Sequence, residues 1–418
     1  MVELLIIAVA IYAFAMLSEK SAMSPVTAPM CFTTVGLLVG AAGLGWFDLS
    51  LEGEGATALV EATLVLVLFV DASRMDLRAL RKSSALPVRL LAIGLPLTII
   101  LGTLTAMVLF DQLSVVEAAL VAAVLAPTDA ALGQAVVSDR RLPVRIRQSL
   151  NVESGLNDGI MVPVVTVFLA LAAVEEEVAS ASEWGTFIAA QLGFGLTAGV
   201  IAGAGGGWLL HRRAAAHQVE GVYRQLAIIA MALAAFAGAE ALGGNGFIAA
   251  FVAGLAFARV APKECQDVQD FTEDEAELLT TITFLIFGAI IAGPRIENLT
   301  WEIALYGVLS LTVVRIVPVV ISMIGSGTRY ETRVFFGWFG PRGLASILFA
   351  LIVFEDMHNP TGELVMDIAV WTVLFSVFAH GLTASPWAGR LGRKLEKGPA
   401  DMAEMVEVPE LPTRRGRP

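Results

Sequence analysis

Two short runs hold the residues of this sequence that could do chemistry in an apolar setting. One is Pro127-Thr128-Asp129; the other is Asn151-Val152-Glu153-Ser154-Gly155-Leu156-Asn157-Asp158, and each lies inside a stretch apolar enough for lipid. A charged group at mid-bilayer costs about 2.5–3.5 kcal/mol on insertion scales, so several carboxylates kept together are expected to be used. Ser154 and Asp158 are four apart and share one face of a helix; Glu153 and Asn157 form a second such pair, turned by about 100°. If Thr128 and Asp129 project toward the first face, oxygens of Thr128, Asp129, Ser154 and Asp158 surround one small cavity. Hard oxygen ligands suit a small alkali cation, and carboxylate is also the group that exchanges it for a proton. Unwound backbone carbonyls are expected to complete the shell.

The counterpart lies some two hundred residues on, in Phe339-Gly340-Pro341-Arg342-Gly343. Pro127 and Pro341 each remove a backbone donor and clash one turn back, so both helices are expected to kink or unwind near mid-span. Arg342 needs a partner at that depth, and Glu153 is the expected one, in a structural pair that fixes the second broken helix against the first acidic one. Arg315 has no evident partner and receives no transport role. Glu117 and Asp367 fall in first helical turns, where a carboxylate favours the positive end of the helix. Asp71 is expected to pair locally with Arg74, and Glu61 and Glu240 are candidates for an aqueous funnel. His211, His217, His358 and His380 are placed at or beyond helix ends, with His211 or His217 as a sensor of cytoplasmic pH.

The elements that position these groups follow from composition. The chain of 418 residues is 56% apolar and 16% charged, outside the range of soluble globules and in that of polytopic membrane proteins. Cys31 and Cys265 make no disulfide framework, and no Cys/His spacing resembles a metal site. A span needs about 20 apolar residues. Thirteen candidate spans run at about 2–17, 27–46, 56–72, 88–110, 115–137, 148–174, 184–209, 222–242, 243–259, 274–292, 301–323, 333–355 and 363–385. The first is read as a helix, not a signal peptide, because Glu3 replaces a basic leader.

Broken spans seven positions apart run in opposite directions, the pattern of inverted repeats whose discontinuous helices meet at a midplane ion site. The expected domain is 1–385: a first repeat at about 1–174, a linker helix at about 184–209, a second repeat at about 222–385, then a polar tail at 386–418. Nearly all of the 27 basic residues follow odd-numbered spans or lie in the tail, with Arg295 on the other side beside Asp48, Glu52, Glu54 and Glu175 to Glu177. The N-terminus is therefore expected outside and the tail in the cytoplasm. The acidic run 267–277 is expected as a solvated loop, and residues 409–418 as a disordered end.

With these motifs, and with Gly246-Phe247-Ile248-Ala249-Ala250-Phe251-Val252-Ala253-Gly254, the sequence resembles the monovalent cation:proton antiporter family, in its prokaryotic NhaP-type sodium/proton exchanger branch. The resemblance implies that Asp158 is the ion- and proton-binding carboxylate, helped by Thr128, Asp129 and Ser154, while Glu153 pairs with Arg342. It implies electroneutral exchange, because Asn157 stands before the key aspartate. It further implies a homodimer and an elevator-like movement of a six-helix core domain. Against the animal exchangers the sequence departs in showing no long cytoplasmic tail, so regulation through such a tail is not expected.

The expected activity is exchange of Na⁺ or Li⁺ for H⁺ by competition at Asp158, in the inner (plasma) membrane. The expected partners are monovalent cations, protons and the lipid bilayer, with no cofactor, nucleotide or nucleic acid. Activity should peak between acid and alkaline extremes. Potassium/proton exchange on the same scaffold is the nearer alternative. An intramembrane aspartyl protease is the remote one, disfavoured by the lack of a Gly-x-Gly-Asp segment and by Arg342.

Overall fold

The computed structural model of the chain describes residues 2–22, 26–46, 54–74, 85–175, 181–357, 359–399 and 401–408. Asp48, Glu52, Glu176, Glu177, His358 and residues 409–418 lie outside the described residues. Helix covers each of the thirteen stretches marked by the apolar pattern. In chain order these are α1 (Val2–Ala22), α2 (Ala28–Val39) and α3 (Glu54–Ser73), then α4, built of Ala85–Arg89, a π turn at Leu90–Gly94 and Leu95–Leu109. The fifth stretch is two helices, α5 (Val115–Val124) and α6 (Ala130–Val137); α7 (Val144–Glu175) follows, and α8 joins Ala181–Val200, a π turn and Gly206–Ala215. Next come α9 (Gly221–Ala241), α10 (Gly246–Val260) and α11 (Pro262–Ile286), which continues through a π turn at Phe287–Ala292. The last are α12 (Trp301–Leu311), α13 (Val313–Ser322), α14 (Tyr330–Trp338), α15 (Leu344–Asp356) and α16 (Pro360–Glu396).

Among the described residues, seven helices are long and apolar enough to cross a membrane by length and composition, and four apolar helices are shorter. The chain is a multi-pass membrane protein, and its helix starts follow local chemistry. Ser114 and Glu117 form a capping box at α5, with Ser114 N to Glu117 Oε2 at 2.7 Å. Asn245 caps α10 after a turn in which Gly243 takes a φ of +76°, a conformation glycine adopts without steric cost. Asn359 caps α16 through Gly362 N.

Two features differ from the sequence expectations. The acidic run 267–277 is helical, because α11 starts at Pro262, whose fixed φ suits the first helical position, and carboxylates near that end complement the helix dipole. α16 passes Pro386 and continues to Glu396, well beyond the expected end of the last span. Ala384, Ala388, Leu391 and Leu395 keep a helical apolar stripe there, buried against Val136, Leu142, Ile146, Phe335 and Phe339. The chain then folds back: Glu404 Oε1 accepts from Arg329 N (2.7 Å) and Thr332 Oγ1 (2.9 Å) at the start of α14, and Arg145 donates to Ala403 O. Arg295, whose partner the sequence leaves open, lies 2.8 Å from Glu363 and 2.7 Å from Asp367.

α7 stands at the centre of the site, packed against α5, α6, α3 and α8, while α16 packs against α5, α6, α12 and α15. Each broken pair therefore meets an unbroken helix along its length.

Candidate functional site

The two unwound stretches, 126–129 and 339–343, cross and bond to each other. Asp129 N donates to Pro341 O at 2.7 Å. Arg342 Nη1 reaches the other way, to Ala126 O at 2.5 Å and Pro127 O at 3.0 Å. Breaking a helix leaves carbonyls at one new end and amides at the other without intrahelical partners, and the crossing satisfies several of these mutually. The prolines explain why the breaks occur; the cross-links explain how they are kept.

Asp129 does more than its sequence position indicates. Oδ1 accepts from Ala131 N (2.6 Å) and Leu132 N (3.1 Å) and so caps α6. Oδ2 accepts from Leu344 N at 2.7 Å, at the first residue of α15, whose own preceding residue, Gly343, offers no side-chain cap. One carboxylate thus serves the positive ends of two half-helices, a favourable place for an anion. The sequence places Asp129 among the cation ligands, whereas here both its oxygens are taken by amides. Gly343 must lack a side chain, since a Cβ there would land on the Asp129 carboxylate.

Thr128 and Ser154, two of the four expected ligands, lie together, and Asn157, placed by the sequence on the adjoining face, joins them; all three are buried. Thr128 Oγ1 lies 3.1 Å from Ser154 Oγ and accepts from Asn157 Nδ2 at 2.6 Å. Asn157 Oδ1 is buried and has no hydrogen-bond partner among the described residues. Asp158 is also buried, one turn beyond Ser154 on the same face of α7. A threonine hydroxyl, a serine hydroxyl, an amide oxygen and a carboxylate therefore line adjoining turns at the crossing. This is a hard-oxygen set of the kind that takes alkali cations. Of the unwound backbone carbonyls, the group expected to complete a cation shell, those of Ala126 and Pro127 receive the Arg342 guanidinium.

The expected Glu153–Arg342 pair is corrected. Glu153 Oε1 is bonded to Arg315 Nη2, and both side chains are buried. Arg315 projects from α13 onto Glu153 and fills the space beside Gly340, where a Cβ would fall 2.5 Å from Arg315 Nε. Arg342 is turned away toward the first break by its two carbonyl acceptors. Sequence reasoning left Arg315 without a partner, although an arginine inside an apolar span already calls for one.

Two more residues were missed. Ser376 Oγ accepts from Arg342 N at 2.7 Å, and His380 Nε2 lies 2.8 Å from Trp338 O. His380 is within α16 and 1% exposed, not at a helix end. The missed signal is its spacing, four residues after Ser376 on a face that also buries Thr372 and Ala384.

At the end of the bundle rich in arginine, His211 Nδ1 contacts Glu264 at 3.0 Å. Burial pushes the Glu264 carboxyl up, but the His211 hydrogen bond, a backbone hydrogen bond and the charges of His211 and Arg224 outweigh it, leaving it below the ordinary carboxylate value.

Comparison with known proteins points to one family and one fold. The profile of the transmembrane sodium/hydrogen exchanger family matches residues 4–389. The K⁺/H⁺ antiporter NhaP2 of Shewanella baltica is 28% identical over 386 residues, covering 90% of this chain and 64% of the relative, so the chain spans about two thirds of that protein's length. The Na⁺/H⁺ antiporter ApNhaP of Aphanothece halophytica is 26% identical over 375 residues, covering 86% of this chain and 69% of that one. In fold, the chain resembles the sodium proton antiporter MjNhaP1 of Methanocaldococcus jannaschii, with a TM-score of 0.76 at 20% identity, over 95% of this chain and 100% of the other.

Proposed function

The chain belongs to the sodium/hydrogen exchanger family, and from that premise we propose that it is a secondary antiporter exchanging Na⁺ or Li⁺ for H⁺ by competition at Asp158. The observation that carries this is the buried set of Thr128, Ser154, Asn157 and Asp158 beside two crossed, unwound helices. A proton and a cation cannot both occupy the Asp158 carboxylate, so each stroke carries one or the other. Thr128, Ser154 and the Asn157 amide oxygen supply neutral ligands. Asp129 acts mainly as the cap that keeps the crossing rigid.

The buried charges support a one-for-one exchange. Of the buried charged residues, those on the two breaks, on residues 153–158 of α7 and on α13 are Arg315 and Arg342 against Glu153 and Asp129, with Asp158 as the fifth. One monovalent cation or one proton balances it, so both loaded forms carry the same charge through a low-dielectric interior. Either alternative, two cations or none, would bury a net charge at high cost. This agrees with the electroneutral exchange that Asn157 implies by resemblance.

The remaining architecture is proposed on the same footing. Thirteen crossings form two inverted repeats, 1–174 and 222–385, around the linker helix, with the N-terminus outside, the tail in the cytoplasm and the protein in the inner membrane. The protein works as a homodimer, its core moving as an elevator. No cofactor or nucleotide is required.

Potassium is the second candidate, favoured by the name of the NhaP2 relatives. Dequenching of a trapped pH dye in proteoliposomes on adding Na⁺, Li⁺ or K⁺ separates the cations. The protease alternative finds no support: an aspartyl dyad needs two carboxylates sharing a proton and a water, and Asp129 is occupied by amides. The direct test is Asp158→Asn, which should insert and fold while exchange falls to background. Cation-driven proton movement by that variant would refute the site.

A further inference from the structure

α14 ends at Trp338 and α15 begins at Leu344, and what holds the chain between them on the side away from the first break is α16. Ser376 Oγ accepts the Arg342 amide at 2.7 Å. One turn along, His380 Nε2 lies 2.8 Å from Trp338 O. Because a carbonyl can only accept, Nε2 carries the proton in this contact. Nδ1 lies 3.1 Å from Ser376 Oγ and 3.0 Å from the backbone Ser376 O, so His380 is held against its own helix on that side. Ser376 and His380, one turn apart, form one brace: Arg342 N–H donates to Ser376 Oγ, and His380 Nε2–H donates to Trp338 O. It spans the break from the last turn of α14 to the residue whose guanidinium crosses to Ala126 and Pro127.

Packing keeps the brace in register. The Trp338 ring lies 5.0 Å from the His380 ring and donates Nε1 to Thr383 Oγ1 at 2.9 Å. Phe339 and Trp387 stack beside them at 5.7 Å. Ser376, His380 and Thr383 thus present successive turns of α16 to residues 338–342.

Resting on the exchange-site reading above, we propose that Ser376 and His380 are positioning residues for cation binding. They hold the second break in the shape that aims Arg342 at the carbonyls next to Thr128. Neither side chain touches the Thr128, Ser154 and Asn157 cluster in any bond described here; each acts through the backbone and guanidinium of Arg342. If the brace is cut, Arg342 loses its fixed origin, the 126–127 carbonyls relax and Thr128 shifts against Ser154. Cation affinity and selectivity depend on sub-ångström oxygen placement, whereas the translocating movement does not, so the effect falls on binding.

The test uses the full chain in proteoliposomes. Ser376→Ala and His380→Leu cut the brace; Ser376→Thr keeps the hydroxyl, and His380→Gln keeps an N–H donor to Trp338 O. The cutting variants should raise the half-saturating Na⁺ concentration about tenfold, the equivalent of roughly 1.4 kcal/mol. They should also alter the ratio of Na⁺ to K⁺ exchange, with the maximal rate little changed. The conservative variants should restore most of both. Folded cutting variants with unaltered half-saturation and cation ratio overturn the proposal, as does a loss that merely tracks melting temperature. If His380→Leu fails to fold, Ser376→Ala and His380→Gln decide it by the same readouts. Asp158→Asn is run alongside: exchange surviving there defeats the exchange-site reading itself, whereas a silent Asp158→Asn beside indifferent Ser376 and His380 variants defeats only the brace.

Discussion

The break at 126–129 and the break at 339–343 look alike in sequence, each a proline followed by a charged residue, yet they differ in what they supply. The first carries its own cap, Asp129, and the hydroxyl of Thr128, proposed above as a ligand. The second has no side-chain cap of its own, takes Asp129 across the crossing, and leans on Ser376 and His380 behind it. It contributes a cation, Arg342, where the first contributes an anion. The teaching is that two similar interruptions can divide the work: on the proposed reading one handles the ion, while the other fixes the geometry. An inverted pair of breaks is therefore not two copies of one site.

The largest expected effect falls on the shared cap. Asp129→Ala takes the acceptor from three amide donors at two helix ends, and at roughly 1.5–3 kcal/mol for each bond to a charged group the variant should lose several kcal/mol of stability. Asp129→Asn, which keeps an acceptor oxygen, should recover part of it. Melting in detergent reads both, and an Asp129→Ala protein as stable as the parent would break the comparison by showing the second break independent of the first.

Next is the ion pair. Removing one partner of a buried pair costs about 3–5 kcal/mol, while replacing both is far milder. Glu153→Gln and Arg315→Met should each be strongly destabilising, and the double variant should recover much of the loss. Glu153→Gln with Arg342→Met should not. If that second combination is the one that recovers, the carboxylate belongs to the second break after all.

The smallest effect lies outside both breaks and sharpens where the pH response resides. The Glu264 carboxyl sits below its ordinary value, so its contribution to stability is present above the unfolded carboxylate range and is lost as pH falls through the lower folded value. Glu264→Gln should flatten the acid limb of melting temperature against pH and leave the pH profile of exchange unchanged. A displaced exchange profile would move pH sensing to the His211 contact and away from Asp158.

Much of this was legible in the sequence. Helix and break positions follow from apolar runs and from Pro127 and Pro341, because both signals act locally. The approach of Thr128 to Ser154 was legible too, since fourfold spacing on α7 puts Ser154 and Asp158 on one face, but the entry of Asn157 from the adjoining face was not. Nor was partner choice. Arg315 and Arg342 are both mid-span arginines, and only the crossing geometry decides that Glu153 takes the first while backbone carbonyls take the second. The second capping contact of Asp129 was not legible because its amide partner in α15 has no side-chain signature. The extent of α16 was misjudged because charges after residue 389 obscured the stripe of Ala384, Ala388, Leu391 and Leu395.

The double duty of Asp129 also orders how the protein can be made. Its Oδ2 waits for an amide 215 positions further along the chain, so the crossing cannot close while the ribosome is still making the first half. Until Leu344 has been inserted, the early helices must sit in the bilayer with that carboxylate only half satisfied. The site is thus a late event of biogenesis, a long-range contact of the kind that slows folding. A nascent chain arrested before α15 should still be labelled readily at position 128 by a thiol probe in a Thr128→Cys background, and the same position should become protected once synthesis passes the second break.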